Sequence, residues 1–110
     1  MIDFSTFAAV EMRVGRILTA EPFPEARQPS YKLTIDFGEE IGLKRSSAQL
    51  TKLYARDELV GTLVIAATNL GPRRIAGFQS DVLVLGVPDA AGSVVLLRPE
   101  RPVDIGARVF

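Results

Sequence analysis

The segment KLTIDF, from Lys32 to Phe37, alternates strictly between polar and apolar residues. That period places Leu33, Ile35 and Phe37 on one face of a β-strand. Met12 to Ala20 reads as a second, longer strand, with Gly15 marking a bulge or tight bend of the kind that lets a strand curl around a small barrel. TLVIAAT (Thr62 to Thr68) and SDVLVLGV (Ser80 to Val87) are continuous β-branched and apolar runs, the signature of buried strands. Ser93 to Leu97 adds a last short one.

The intervening stretches break these patterns. EPFPEARQPS, from Glu21 to Ser30, holds three prolines and therefore reads as a loop, long enough to bind a ligand. Leu50, Leu53 and Tyr54 fall at helical spacing and precede RDELVG, which predicts one or two short helical turns ended by Gly61. Asp3 or Ser5 caps another short helix through Phe7 and Val10. Short strands with one helical insertion before the fourth predict an all-β, five-stranded Greek-key barrel of the oligonucleotide/oligosaccharide-binding (OB) type, with terminal extensions. A chain of 110 residues has the length of one such domain, spanning 1–110.

Composition narrows the chemistry. The chain has no cysteine, which excludes disulfides, thiolate metal sites and thiol redox chemistry and fits a reducing cytoplasm. It has no histidine, which removes the usual general base and metal ligand. Lys44 and Ser46 lie two apart, but a solvated lysine beside a strand-end serine is the simpler reading than a Ser-Lys dyad. Glu39 and Glu40 follow Gly38 in a turn composition, where adjacent carboxylates face water. No glycine-rich phosphate loop occurs. The chain therefore reads as a binder without catalytic activity or cofactor, and its start resembles neither a signal peptide nor a membrane span, so membrane insertion is not expected.

The net charge of zero conceals a local imbalance. Lys44, Arg45, Lys52, Arg56, Arg73 and Arg74 face only Asp57 and Glu58 in the stretch from Lys44 to Arg74, while the remainder is acidic. One basic face for an anionic partner follows. Within NLGPRRIAGFQS, Arg73 and Arg74 are flanked by Asn69 and Ser80, which are able to hydrogen-bond a base, sugar or phosphate, and by Phe78, which offers a stacking or packing face.

Three stretches carry a family resemblance: PEARxPxYKLxIDFG from Pro24 to Gly38, KRSSAQLT from Lys44 to Thr51, and ELVGTLVIAATNLGPRRIAGFQSDVLVLG. Together they resemble the CsaA branch of the tRNA-binding domain family, which also includes the C-terminal domain of many bacterial methionyl-tRNA synthetases. The resemblance runs from Phe4 to Val109, and Arg45 stands where that branch typically has glutamine. It implies an OB-fold, a homodimer built through terminal extensions and sheet edges, and no catalytic activity. For the CsaA branch it implies an export-related chaperone that binds unfolded or preprotein segments, with the export machinery as a further partner. The wider family implies tRNA, which leaves a stand-alone tRNA-binding factor as the alternative. Carried over by position, the RNA-facing residues are Arg13, Lys32, Lys44, Ser46, Ser47, Asn69, Arg73, Arg74 and Ser80. The peptide pocket is expected near Phe23, Tyr31, Ile75 and Phe78.

Overall fold

The computed structural model describes residues 1–110. Its centre is a five-stranded sheet in the order β3-β2-β1-β4-β7, antiparallel throughout, formed by β1 (Met12–Pro22), β2 (Tyr31–Asp36), β3 (Leu43–Ala48), β4 (Leu63–Ala67) and β7 (Leu83–Val84). Two hairpins extend it: β5 (Arg73–Ile75) with β6 (Phe78–Ser80), and β8 (Gly86–Pro88) with β9 (Val94–Leu96). A short helix α1 (Phe4–Ala9) precedes the barrel, and a one-turn helix α2 (Arg56–Leu59) sits between β3 and β4.

The alternating pattern of KLTIDF is realised, with Leu33, Ile35 and Phe37 buried in the core beside Ile17, Leu50, Leu59 and Val64. Opposite them, Lys32 and Thr34 face outward, in register with Ser47 and Arg45 of β3 and with Glu21 and Thr19 of β1. The α2 turn ends as expected at Gly61, whose φ is +89°.

The sheet closes on itself between β3 and the segment after β6. Asp81 N–H donates to Arg45 O at 2.7 Å, Arg45 N–H to the Asp81 carboxylate at 3.1 Å, and Ser46 Oγ–H to Val82 O at 3.1 Å. These bonds cover the middle of the edge that β3 would otherwise present and nearly close the barrel. An OB-fold barrel results, as the chain pattern implies.

Three sequence expectations differ from the structure. The bulge in β1 lies at Leu18, between the Ile17 and Thr19 pairings, and not at Gly15. Gly15 instead marks a close approach by the side chains of Ile35 and Phe37. β1 also runs on through Glu21 and Pro22, which pair with Lys32 and Tyr31, so the loop starts two residues later than the prolines suggest. Pro22 is tolerated because it is the last residue of the strand. Finally, the run from Ser80 to Val87 is not one buried strand: it is divided among β6, β7 and β8 and leaves Leu83 and Val87 exposed. An apolar run without alternation carries no information on where a strand breaks.

The chain ends gather around the start of β1. Val14 N–H donates to Ala107 O, Gly106 N–H to Val14 O, and Arg108 Nη2 to Ala8 O at 2.6 Å. Helix α1 buries none of its residues, and Ile2, Phe4 and Phe110 stand exposed. No helix is long and apolar enough to cross a membrane.

Candidate binding groove and its basic rim

The β5–β6 hairpin turns in two residues, Ala76 and Gly77, with φ of +47° and +80°. Positive φ at both positions matches the right-handed twist of the flanking strands, and Gly77 adopts it without steric cost. The pairings Arg73↔Ser80, Arg74↔Gln79 and Ile75↔Phe78 then sort the side chains onto two faces. Arg73, Ile75, Phe78 and Ser80 share one face, while Arg74 and Gln79 take the other. Adjacent in sequence, the two arginines thus point opposite ways. Arg74 folds back to donate from Nη1 to Gly77 O at 2.9 Å.

Phe78 does not line an open pocket. Its ring packs edge-on against Phe23 of the proline-rich loop with centroids 5.4 Å apart, and the two residues are only 9% and 3% exposed. Lys32 Nζ lies 4.8 Å from the Phe23 ring centre and 5.4 Å from that of Phe78, and the Arg45 guanidinium lies 4.7 Å from Phe78. Cations over the electron-rich ring faces strengthen the cluster beyond the area it buries. Arg45 also pairs with Glu21 at 3.1 Å. This aromatic latch ties the hairpin to the proline-rich loop and the outer face of β2–β3.

Beside the latch, those same two loops wall a groove of about 330 Å³. Ala26, Arg27, Gln28 and Ser30 come from the proline-rich loop, Arg73 and Ile75 from the hairpin, and Leu50, Val84 and Leu96 from the barrel behind. The position is the one OB-folds use for ligands, between the loop joining the first two strands and the loop joining the last two. A smaller compartment of about 210 Å³ adjoins it, sharing Ser47, Arg73, Ile75 and Leu83 and adding Leu70 and Asp81. No cluster of His, Cys, Asp or Glu side chains is arranged to hold a metal.

The residues singled out from sequence therefore separate into groups. Ser47, Arg73 and Ile75 line the groove. Lys32 joins the latch above Phe23 and Phe78, and Tyr31 lies outside the groove, half-buried, with its hydroxyl donating to Tyr54 O at 2.7 Å. Ser46 is fully buried and Ser80 nearly so, and both hydroxyls serve the barrel seam, Ser80 Oγ accepting from Ser47 N–H at 3.0 Å; Ser80 also lines the smaller compartment, whereas Ser46 lines neither. The burial of Ser46 also removes the Ser-Lys pairing. Lys44, opposite Ile35 on β3, is half-buried near Asp81.

Asn69 and Arg13 belong to the terminal scaffold. The Asn69 carboxamide accepts from Glu11 N–H and donates to Ala9 O, both at 2.8 Å, fastening the N-terminal segment. Arg13 donates to Glu11 at 2.8 Å and to Gly106 O at 2.9 Å, and its Nε is buried without a partner. The Arg13 hydrogen bond holds the Glu11 carboxyl below the usual carboxylate range. Sequence inspection missed Arg27, the glutamines beside it and the aliphatic back wall. Arg27 sits in the loop flagged for its prolines, which was the available signal.

Asp81 gives the seam a pH dependence. Its carboxyl is held below the ordinary aspartate range, first by a hydrogen bond from Gln79 and then by the Arg45 N–H and the charges of Lys44 and Arg45. A lowered native pKa contributes stability that is complete above the unfolded value, about 4, and is lost as pH falls through the lowered native value. Urea midpoints of the native protein should fall from pH 5 to pH 2.5 more steeply than those of Asp81→Asn. Parallel profiles would show that this carboxylate does not support the seam.

The comparisons with known proteins converge on this architecture. The model of the tRNA_bind family, a tRNA binding domain, matches residues 12–108. The chain belongs to the tRNA-binding domain family. Among curated proteins it is 37% identical over 109 residues to the methionine–tRNA ligase of Methanoregula boonei, covering 99% of this chain and 16% of the ligase. It is 31% identical over 109 residues to that of Methanosarcina mazei, covering 99% of this chain and 15% of the ligase. This tRNA-binding domain thus spans about one-sixth of the length of the ligases it matches. Among solved structures, the chaperone CsaA of Bacillus anthracis superimposes with a TM-score of 0.94 at 45% identity, over 100% of this chain and 99% of that one. The CsaA chaperone protein of Picrophilus torridus gives 0.94 at 44% identity, over 100% of both chains. Family membership and these likenesses indicate a binding domain without catalysis of its own.

Proposed function

We propose that this protein is a non-enzymatic chaperone of CsaA type, holding unfolded or preprotein segments in the groove between the proline-rich loop and the β5–β6 hairpin, ahead of export from the cytoplasm. The observation that carries the reading is the aliphatic lining of that groove, which suits apolar side chains of an unfolded chain. The full-length likeness to two CsaA chaperones supports it. A second reading, tRNA binding on the same face, is favoured by the cations around the groove and its latch: Arg27, Lys32, Arg45 and Arg73 offer phosphate contacts. Competition between labelled tRNA and an unfolded polypeptide decides between them. The chaperone reading expects saturable polypeptide binding with a negative heat-capacity change, the mark of apolar surface leaving water. Saturable tRNA binding with no polypeptide binding would establish the stand-alone tRNA-binding factor instead.

The functional unit under this reading is a homodimer. Exposed Ile2, Phe4, Phe7 and Phe110 near the start of β1 form the apolar surface a twofold contact would cover. Such a contact buries about 1,200–2,000 Å². Sedimentation at micromolar concentration should give a dimer, and Phe4→Ser/Phe7→Ser should shift it to monomer. A wild-type monomer would refute the assembly.

A further inference from the structure

We propose that the groove selects extended polypeptide segments carrying a carboxylate between two aliphatic side chains, in the spacing aliphatic-x-acidic-x-aliphatic; this rests on the polypeptide reading above. The main compartment contains two charges, Arg27 and Arg73, and both are cationic. Neither guanidinium has a hydrogen bond or ion pair within the chain, whereas Arg13, Arg16, Arg45, Arg74, Arg101 and Arg108 all bond to internal acceptors. Arg56 and Arg98, also without such partners, lie outside the groove. Two unpaired guanidiniums beside an apolar wall are complementary to an anion that arrives attached to apolar groups.

The lining decides the kind of ligand. Leu50, Ile75, Leu83, Val84, Val94 and Leu96 are all aliphatic, and no aromatic ring enters the compartment. Single-stranded nucleic acids gain much of their sequence-tolerant affinity by stacking bases on aromatic rings. That platform exists nearby, but Phe23 and Phe78 are buried against each other beneath Lys32 and Arg45. Aliphatic walls instead accept leucine, isoleucine or valine side chains.

The position of Arg73 sets the order of groups. Arg73 and Ile75 line both the main and the smaller compartment, so a cation stands where the two apolar spaces meet. The one acid in the smaller compartment, Asp81, is already engaged by Gln79 and by Arg45 N–H. An extended segment presents alternate residues on one face, so an acid flanked two positions away on each side by aliphatic residues sets all three toward the groove.

The test uses three fluorescein-labelled peptides of nine residues, alike except that the position between two leucines is Glu, Gln or Lys. Binding is read by fluorescence anisotropy with the wild-type protein and with Arg27→Gln/Arg73→Gln, whose fold is checked by its melting temperature. The Glu peptide should bind about tenfold more tightly than the Lys peptide. In the double variant that ratio should fall to about twofold or less. Equal affinities, or a ratio that survives in the variant, overturn the proposal while leaving the polypeptide reading intact. Failure of all three peptides to bind overturns both. A single-stranded RNA that binds more tightly than any peptide, and loses that affinity in the double variant, assigns the guanidiniums to phosphates and also overturns it.

Discussion

Gly15→Val should destabilise the barrel by about 2–3 kcal/mol, and Gly15→Ala by about 1–2 kcal/mol, through overpacking of the core. A Cβ at this position would lie 2.6 Å from Ile35 Cγ2 and 2.7 and 2.9 Å from two atoms of the Phe37 ring. Ile35 and Phe37 are fully buried and have no space into which to retreat. β1 runs between β2 and β4 at this point, with Gly15 opposite Val64, so backbone movement would disturb a ladder in the middle of the sheet. Equilibrium denaturation in urea measures the effect. Adding Phe37→Leu should recover part of the loss in Gly15→Ala, because residues in direct contact couple. Wild-type stability in Gly15→Val would mean that the glycine serves only the curvature of the strand.

Gly15 also illustrates what is readable from the chain and what is not. A glycine inside a strand pattern signals either a bulge or a close approach, and the choice depends on Ile35 and Phe37, about twenty residues away. Local periodicity is reliable where alternation is strict, as at Leu33, Ile35 and Phe37, because one buried face dictates it. The barrel itself is legible for that reason, together with the proline loop and the helical insertion. The run from Ser80 to Val87 offers no such alternation; its first break follows from closure against β3, and its second lies at Leu85, which donates to Ile65 O and accepts from Leu97 N–H.

Polar residues are harder to place. Ser46, Ser80 and Asn69 have the chemistry of nucleic-acid contacts, yet their hydrogen bonds run to segments far away in sequence, such as Val82 from Ser46 and Ala9 from Asn69. A serine hydroxyl that closes a barrel and one that meets a phosphate are the same in composition. Adjacent Arg73 and Arg74 look equivalent in the chain and are separated by the pleat of a three-residue strand. The groove draws its aliphatic wall from β7, β9 and the end of β3, so no contiguous motif announces it.

Phe78→Ala should cost about 3 kcal/mol of stability and, by releasing the hairpin, should weaken polypeptide binding as a secondary effect. Phe78 is buried against Phe23, and Lys32 and Arg45 lie over the rings; truncation removes the edge-on aromatic contact and leaves a cavity beneath the two cations. The hairpin that then loosens is the one that supplies Arg73 and Ile75 to the groove. Phe78→Leu separates packing from binding. It keeps most of the buried area while losing the ring, so stability should drop by about 1–1.5 kcal/mol with polypeptide affinity unchanged within about twofold. Ile75→Ala, at the groove wall and away from the core, should show the reverse, a clear loss of affinity with a small loss of stability. Denaturation midpoints and anisotropy titrations on the same preparations distinguish the two outcomes. A stable Phe78→Leu protein that no longer binds polypeptide would move the contact surface from the groove to the latch, because the ring itself would then be what the ligand meets.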